Sequence, residues 1–182
     1  MKHPARWIAG GVAVLLVLLA VVLGTQIGND PRADANKSQL AGKDAPKFTV
    51  KTLDGTTLTK SDLAGKATIV NFWNTWCIPC RDEADDLQRF YAKHAGDADF
   101  QMIGIVRDDN RKSVEQWVRN RGDEWSIAMD PGGNAALAFG TRGQPETFAI
   151  SPDGLIVGYQ FGPSSVEDLD TLLAAARGGA GA

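Results

Sequence analysis

Residues Asn71–Glu83 read NFWNTWCIPCRDE, and both cysteines of the 182-residue chain lie within them. Just before them, Lys66–Trp73 (KATIVNFW) is a short, β-rich apolar run, the pattern of a buried strand. After them, Cys80–Lys93 places Ala84, Leu87 and Tyr91 at helical spacing, with Phe90 alongside. That is the pattern of an amphipathic helix beginning at the cysteines. Cys77 and Cys80 therefore stand where a strand hands over to a helix. Three chemistries suit two cysteines two residues apart: half a metal site, a structural staple, or a redox couple.

Zinc takes about four nitrogen or sulfur ligands. Beyond the cysteines the chain offers only His94 and His3, and His3 precedes a long apolar run. A Cys/His zinc site cannot be completed, and copper(I) on two thiolates stays open. A structural disulfide over so short a loop removes little chain entropy. A redox couple needs its nucleophile at a helix N-terminus, where unpaired N–H groups and the helix dipole favour a thiolate. Cys77 fits that position. Cys80, three residues on, fits the partner behind it, and Pro79 suits a first turn because it has no N–H to leave unpaired.

Around this centre the pattern is strand, helix, strand, helix, then a hairpin and a closing helix. Lys47–Leu53 and Thr56–Thr59 flank Asp54-Gly55, a hairpin signal. Phe100–Val106 (FQMIGIV) reads as a second buried strand. Ser113–Arg121 reads as a helix opened by a Ser113/Gln116 capping box. Ser126–Met129 suits a short strand, and Asn134–Phe139 a short helix stopped by Gly140. Thr147–Ile150 and Leu155–Gln160 flank Pro152-Asp153-Gly154 as a second hairpin. A Ser164/Glu167 capping box opens a last helix to Arg177. The early strands and helices form a parallel βαβ unit, and the hairpin adds antiparallel strands, so the fold class is α/β.

The N-terminus is a separate object. Lys2 and Arg6 precede Trp7–Gly24, an unbroken run of apolar residues and glycine. Eighteen helical residues rise about 27 Å, close to the hydrocarbon thickness of a bilayer. The positive flank places residues 1–6 in the cytoplasm and the rest outside. The organisation expected is a cytoplasmic N-terminus (1–6), a transmembrane anchor (7–28), a linker (29–44), an α/β domain (45–177) and a tail (178–182). The competing reading is a cleaved signal peptide, whose small-residue motif would be Ala33-Asp34-Ala35, far beyond Leu23. The net charge of −3 and the lack of a basic cluster after the first residues argue against a nucleic-acid partner.

Three motifs in order carry a family resemblance: WCIPC at Trp76–Cys80 after an apolar strand, the CRDE extension at Cys80–Glu83, and GQPETFAISPDG at Gly143–Gly154. With the N-terminal anchor they resemble the TlpA/ResA/DsbE group of membrane-tethered, extracytoplasmic thiol-disulfide oxidoreductases of thioredoxin-like fold. The resemblance covers roughly Ala45–Ala176. It implies that Cys77 attacks a substrate disulfide and Cys80 resolves the mixed disulfide. Pro145 would be cis and face the pair, and the Gln144 backbone would pair with an extended substrate. Trp76 would shape the docking surface. Glu83, on the helical face of Cys80, would tune the thiols and accept a proton.

The resemblance further implies disulfide reduction outside the cytoplasm, with apocytochrome c among the protein substrates. A transmembrane thiol carrier would supply electrons. No bound cofactor and no metal are needed, since the cysteines are the redox centre. The nearest rival is the same fold acting as an oxidase for secreted proteins, because direction depends on the potential of the couple. A thiol peroxidase would want a proline-led P-x-x-x-T/S-x-x-C approach to its cysteine, and Phe72–Trp76 has no proline. A copper or haem chaperone is the non-enzymatic rival.

Overall fold

The computed structural model of the chain describes residues 4–26 and 38–178. They fall into two units, 1–35 and 36–182, each compact in itself. The first holds helix α1 (Pro4–Gln26). Every large apolar side chain described in it, from Val12 to Val22, is more than half exposed. Among the described residues no helix is long and apolar enough to cross a membrane. The described part of α1 thus does not by itself supply the span expected over 7–28. The residues between 27 and 37, the Ala33-Asp34-Ala35 motif and the tail beyond 178 lie outside the described residues.

The second unit is built on one mixed sheet. Among the described residues its strands are β1 (Thr49–Thr52), β2 (Thr57–Thr59), β3 (Ala67–Trp73), β4 (Phe100–Val106), β5 (Ser126–Met129), β6 (Glu146–Ile150) and β7 (Ile156–Phe161). Their order is β2-β1-β5-β4-β3-β6-β7. β3, β4 and β5 run parallel, while β1, β2, β6 and β7 add antiparallel edges. The expected α/β class and thioredoxin-like sheet are present. All seven residues of β3 are buried, because β4 and β6 flank it and both of its faces are covered. A strand covered on both faces reads as a continuous apolar run rather than an alternation.

The helices are α2 (Ile78–His94), α3 (Arg111–Arg121), α4 (Asn134–Ala138) and α5 (Val166–Gly178). One core holds Ile69 and Trp73 of β3 with Leu87 and Phe90 of α2 and Leu169 and Leu173 of α5. The other holds Val70 and Phe72 with Phe139 and Phe148. The two lists alternate along β3, as a period of two requires. Phe90 is fully buried; burying such a side chain contributes about 1.5–3 kcal/mol.

Two helix starts differ from expectation, while that of α2 agrees with it. α2 begins at Ile78, two residues before Cys80, with Cys77 as its N-cap. α3 begins at Arg111, capped by Asn110, whose side chain accepts from the Lys112 N–H at 2.9 Å. The Ser113/Gln116 box therefore does not form; an asparagine caps as well as a serine and here it comes first. At α5 the reciprocal pair is Ser165 and Asp168, one residue beyond the expected Ser164/Glu167. The backbone N–H of Ser164 is already donated to Glu83. The domain also starts earlier than Ala45. Gly42 N–H donates to Ile156 O at 2.8 Å and Ile156 N–H returns to Lys43 O at 2.9 Å, so residues 42–45 pair with the last hairpin.

Candidate active site

The site forms where β3 ends and α2 begins. Asn74, Thr75 and Trp76 make the connection, and α2 opens with Pro79 in its first turn. Cys77 and Cys80 form a disulfide. Cys77 Sγ accepts the Cys80 N–H at 3.2 Å, so the sulfur itself caps the helix. A sulfur so placed meets the positive end of the helix dipole, which favours its anion. Both cysteines are buried, while their neighbours Trp76 and Ile78 are 54% and 70% exposed. The apolar rim is thus open to a partner, and the sulfurs lie just beneath it.

The loop is anchored to the segment that follows β4. Trp76 Nε1–H and the Asn74 amide both donate to Asp108 O, at 2.8 and 2.6 Å. Thr75 N–H donates to Asp109 Oδ2 at 2.6 Å, and Arg81 Nε–H to Thr75 O at 2.7 Å. Asn74 and Thr75, to which sequence reasoning assigns no role, therefore hold the loop. Arg81 joins them; its guanidinium also lies over the Trp117 ring at 5.8 Å.

Across from the sulfurs lies the segment 142–145. The Gln144–Pro145 peptide is cis, and Gln144 O is 3.7 Å from Cys77 Sγ. Glu146, fully buried at the start of β6, holds this segment. Its carboxylate accepts Arg142 N–H at 2.5 Å and Gly143 N–H at 2.7 Å, and Tyr159 O–H at 2.7 Å. Sequence reasoning quotes Glu146 within PETF but gives it no task; an acid opening a buried strand was the available signal.

Glu83 lies inward on α2, 1% exposed. Its carboxylate accepts the Asn71 amide at 2.9 Å and the Ser164 N–H at 2.9 Å. Asn71 also donates to Thr147 Oγ1 at 3.0 Å, tying α2, β3 and β6 to one point. Burial pushes the Glu83 carboxyl up to about 7, opposed by its bonds to Ser164 and Asn71, and Asp86 adds a smaller upward push. An inward Glu83 is what its helical spacing from Cys80 predicts. Its partners are missing from that expectation. Asn71 could have been found as the polar residue on the inward face of β3; Ser164 comes from 81 residues away and leaves no local signal.

Of the residues singled out from sequence, Cys77, Cys80, Gln144 and Pro145 are thus brought together, with Trp76 on the rim and Glu83 beneath. Among the described residues no group of three His, Cys, Asp or Glu could hold a metal ion. The arrangement suits exchange at a disulfide: a sulfur at a helix start, a second one turn inside, an open apolar rim and a buried acid.

Residues 41–159 match the AhpC/TSA family. The thiol-disulfide oxidoreductase ResA of Bacillus anthracis is 31% identical over 160 residues, 88% of this chain and 91% of its own. The thiol:disulfide interchange protein DsbE of Pseudomonas fluorescens biotype C is 34% identical over 153 residues, 83% of this chain and 82% of its own. Among solved structures, a thiol:disulfide interchange protein of the thioredoxin family from Chlorobium tepidum TLS superimposes with a TM-score of 0.64 at 30% identity, over 77% of this chain and 98% of that one.

Proposed function

Because the chain belongs to the AhpC/TSA family and is a thiol-disulfide oxidoreductase of the ResA/DsbE type, we propose that it works as a disulfide reductase through Cys77 and Cys80. The observation that carries the direction is the buried Glu83 carboxyl one turn after Cys80. A strong oxidant owes its power to a stabilised reduced form. An acid beneath the pair disfavours a second negative charge there, so the reduced form lacks that stabilisation and gives up its electrons more readily. In this reading Cys77 attacks, Cys80 resolves, Glu83 tunes the thiols and takes the Cys80 proton, and Gln144, Pro145 and Trp76 dock the substrate chain. Equilibration with a glutathione buffer tests the direction. A reductase stays disulfide-bonded where glutathione is largely reduced; a pair that glutathione readily reduces is an oxidase instead.

The substrate class is protein disulfides, and apocytochrome c is the substrate this reading favours. Its support is the family resemblance carried by WCIPC, CRDE and PETF. A transmembrane thiol carrier would return the electrons. A disulfide-bonded CxxCH peptide should be reduced by the dithiol form in preference to one with scrambled flanks; equal rates would remove apocytochrome c from the reading.

We place the domain outside the cytoplasm on an uncleaved anchor. The support is the Trp7–Gly24 run with its N-terminal Lys2 and Arg6, and a helix that exposes apolar side chains all round, which water does not suit. Full-length chain should resist a high-salt wash of membranes. A soluble product beginning at Asn36 would overturn the anchor.

A further inference from the structure

A small cavity lies behind Cys80. Cys80, Asn71, Trp73, Trp117, Trp125 and Asp123 are among its walls, and it leaves about 10 Å3 for the centre of a water molecule, the space one water needs. Asp123 comes from the turn between α3 and β5, far from the cysteines in sequence. Its side chain is 2% exposed, and its Oδ1 makes no hydrogen bond. A buried carboxylate oxygen without a hydrogen-bond donor is costly, and beside a redox cysteine it is a candidate for proton exchange.

The charges around it are few. From its own segment Arg121 brings Nε to 3.7 Å of Asp123 Oδ1, and that Nε also makes no hydrogen bond. The same guanidinium is shared with Asp85 of α2 at 2.8 Å and lies over the Trp117 ring at 5.4 Å. Arg81 of α2 approaches the same ring. Glu83 is reached through Asn71, which lines the cavity and donates to it. Glu124, next in the chain, is exposed. Burial pushes the Asp123 carboxyl up to about 6, with Arg121 and, more weakly, Gln88 and Trp117 opposing.

We propose that Asp123 exchanges a proton with the Cys80 sulfur through one water held in this cavity, as a second acid-base group of the site beside Glu83. The inference rests on the thiol-disulfide exchange reading of Cys77 and Cys80. In resolution, the Cys80 thiol gives its proton to the water, and the water gives one to Asp123. The Cys80 sulfur then bonds to Cys77 Sγ. The bond from Cys77 to the substrate sulfur breaks, and its electron pair leaves on that sulfur. In the reverse step an incoming thiolate bonds to Cys77 Sγ. The pair from the broken disulfide settles on Cys80, which takes the proton back by the same path.

The test follows the Cys77–glutathione mixed disulfide of the full chain, formed from the dithiol form and oxidised glutathione and acid-quenched over time from pH 5 to pH 9. Asp123→Asn should slow its decay by about tenfold or more near pH 6–7, and converge on wild type at high pH, where Cys80 ionises unaided. A superimposable profile, or one lowered by the same factor at every pH, would overturn the proposal. A second measurement needs no variant: the Asp123 carboxyl, followed by 13C NMR in the wild-type chain, should titrate at higher pH in the dithiol than in the disulfide form. An unchanged midpoint would equally overturn it. Failure of the exchange reading itself shows separately, as a wild-type chain that forms or resolves no mixed disulfide at any pH.

Discussion

Cys77 and Cys80 differ in where their sulfurs sit on α2. Cys77 Sγ caps the helix and accepts a backbone N–H, whereas Cys80 lies within the first turn of the helix. In the reduced protein Cys77 should therefore be alkylated roughly tenfold faster than Cys80 at neutral pH, since the helix N-terminus favours its thiolate. Mass mapping after brief labelling checks this, and equal rates would remove the asymmetry. Cys80→Ser should trap substrates as mixed disulfides and Cys77→Ser should not. Glu83 acts from below. Glu83→Gln removes the like-charge effect, so alkylation of the thiols should begin at lower pH than in wild type, while resolution by Cys80 slows. Coincident alkylation curves with unchanged exchange rates would leave Glu83 as a structural acid only.

Between elements, two contacts decide how tightly the site is held. Glu146 joins β6 to the segment bearing Gln144 and Pro145, accepting two of its backbone N–H groups. Glu146→Ala leaves both part-buried donors without their acceptor, which should cost about 1–3 kcal/mol in urea unfolding and slow exchange with protein substrates more than with small thiols. A stability loss without that contrast would make Glu146 a fold residue alone. Gly104 in β4 sets the second contact. A Cβ there would lie 2.8 Å from Trp73 Nε1 and 2.9 Å from Ile127 Cδ1, so β3 and β5 close over it only because the side chain is missing. Gly104→Ala should destabilise by about 1–3 kcal/mol through overpacking, read as a lower denaturation midpoint with an unchanged slope. No loss would mean that the tryptophans repack freely.

Across the whole molecule, stability should depend on pH through its buried acids. The Glu83 carboxyl titrates near 7 when folded against 4.5 for its ordinary value. Between those values the folded chain binds more protons than the unfolded one, so stability falls as pH rises from about 4.5 to about 7. The shift corresponds to about 3 kcal/mol. Asp123 acts in the same direction over a lower window, from 3.8 to about 6. Denaturation of the disulfide form at pH 5 and pH 8 should show the loss, and Glu83→Gln should reduce it; an equal loss in the variant would assign it elsewhere. How much of this was legible in the sequence follows from the range of the forces involved. Local patterns sufficed for β3, for α2 behind it and for the two hairpins, because apolar periodicity and Asp-Gly turns act over a few residues. They also placed Cys77 at a helix start and turned Glu83 inward, since residues three apart share a helical face. Cap positions slipped at α3 and α5, where several polar residues compete and only the finished packing selects Asn110 and Ser165. Residues far apart in the chain were decided by the tertiary structure alone: Ser164 and Asn71 on Glu83, Glu146 beneath the Pro145 segment, Asp123 behind Cys80. A hydrogen bond or a shared cavity between such residues exists only once the sheet and helices have closed, so no periodicity in the chain records it.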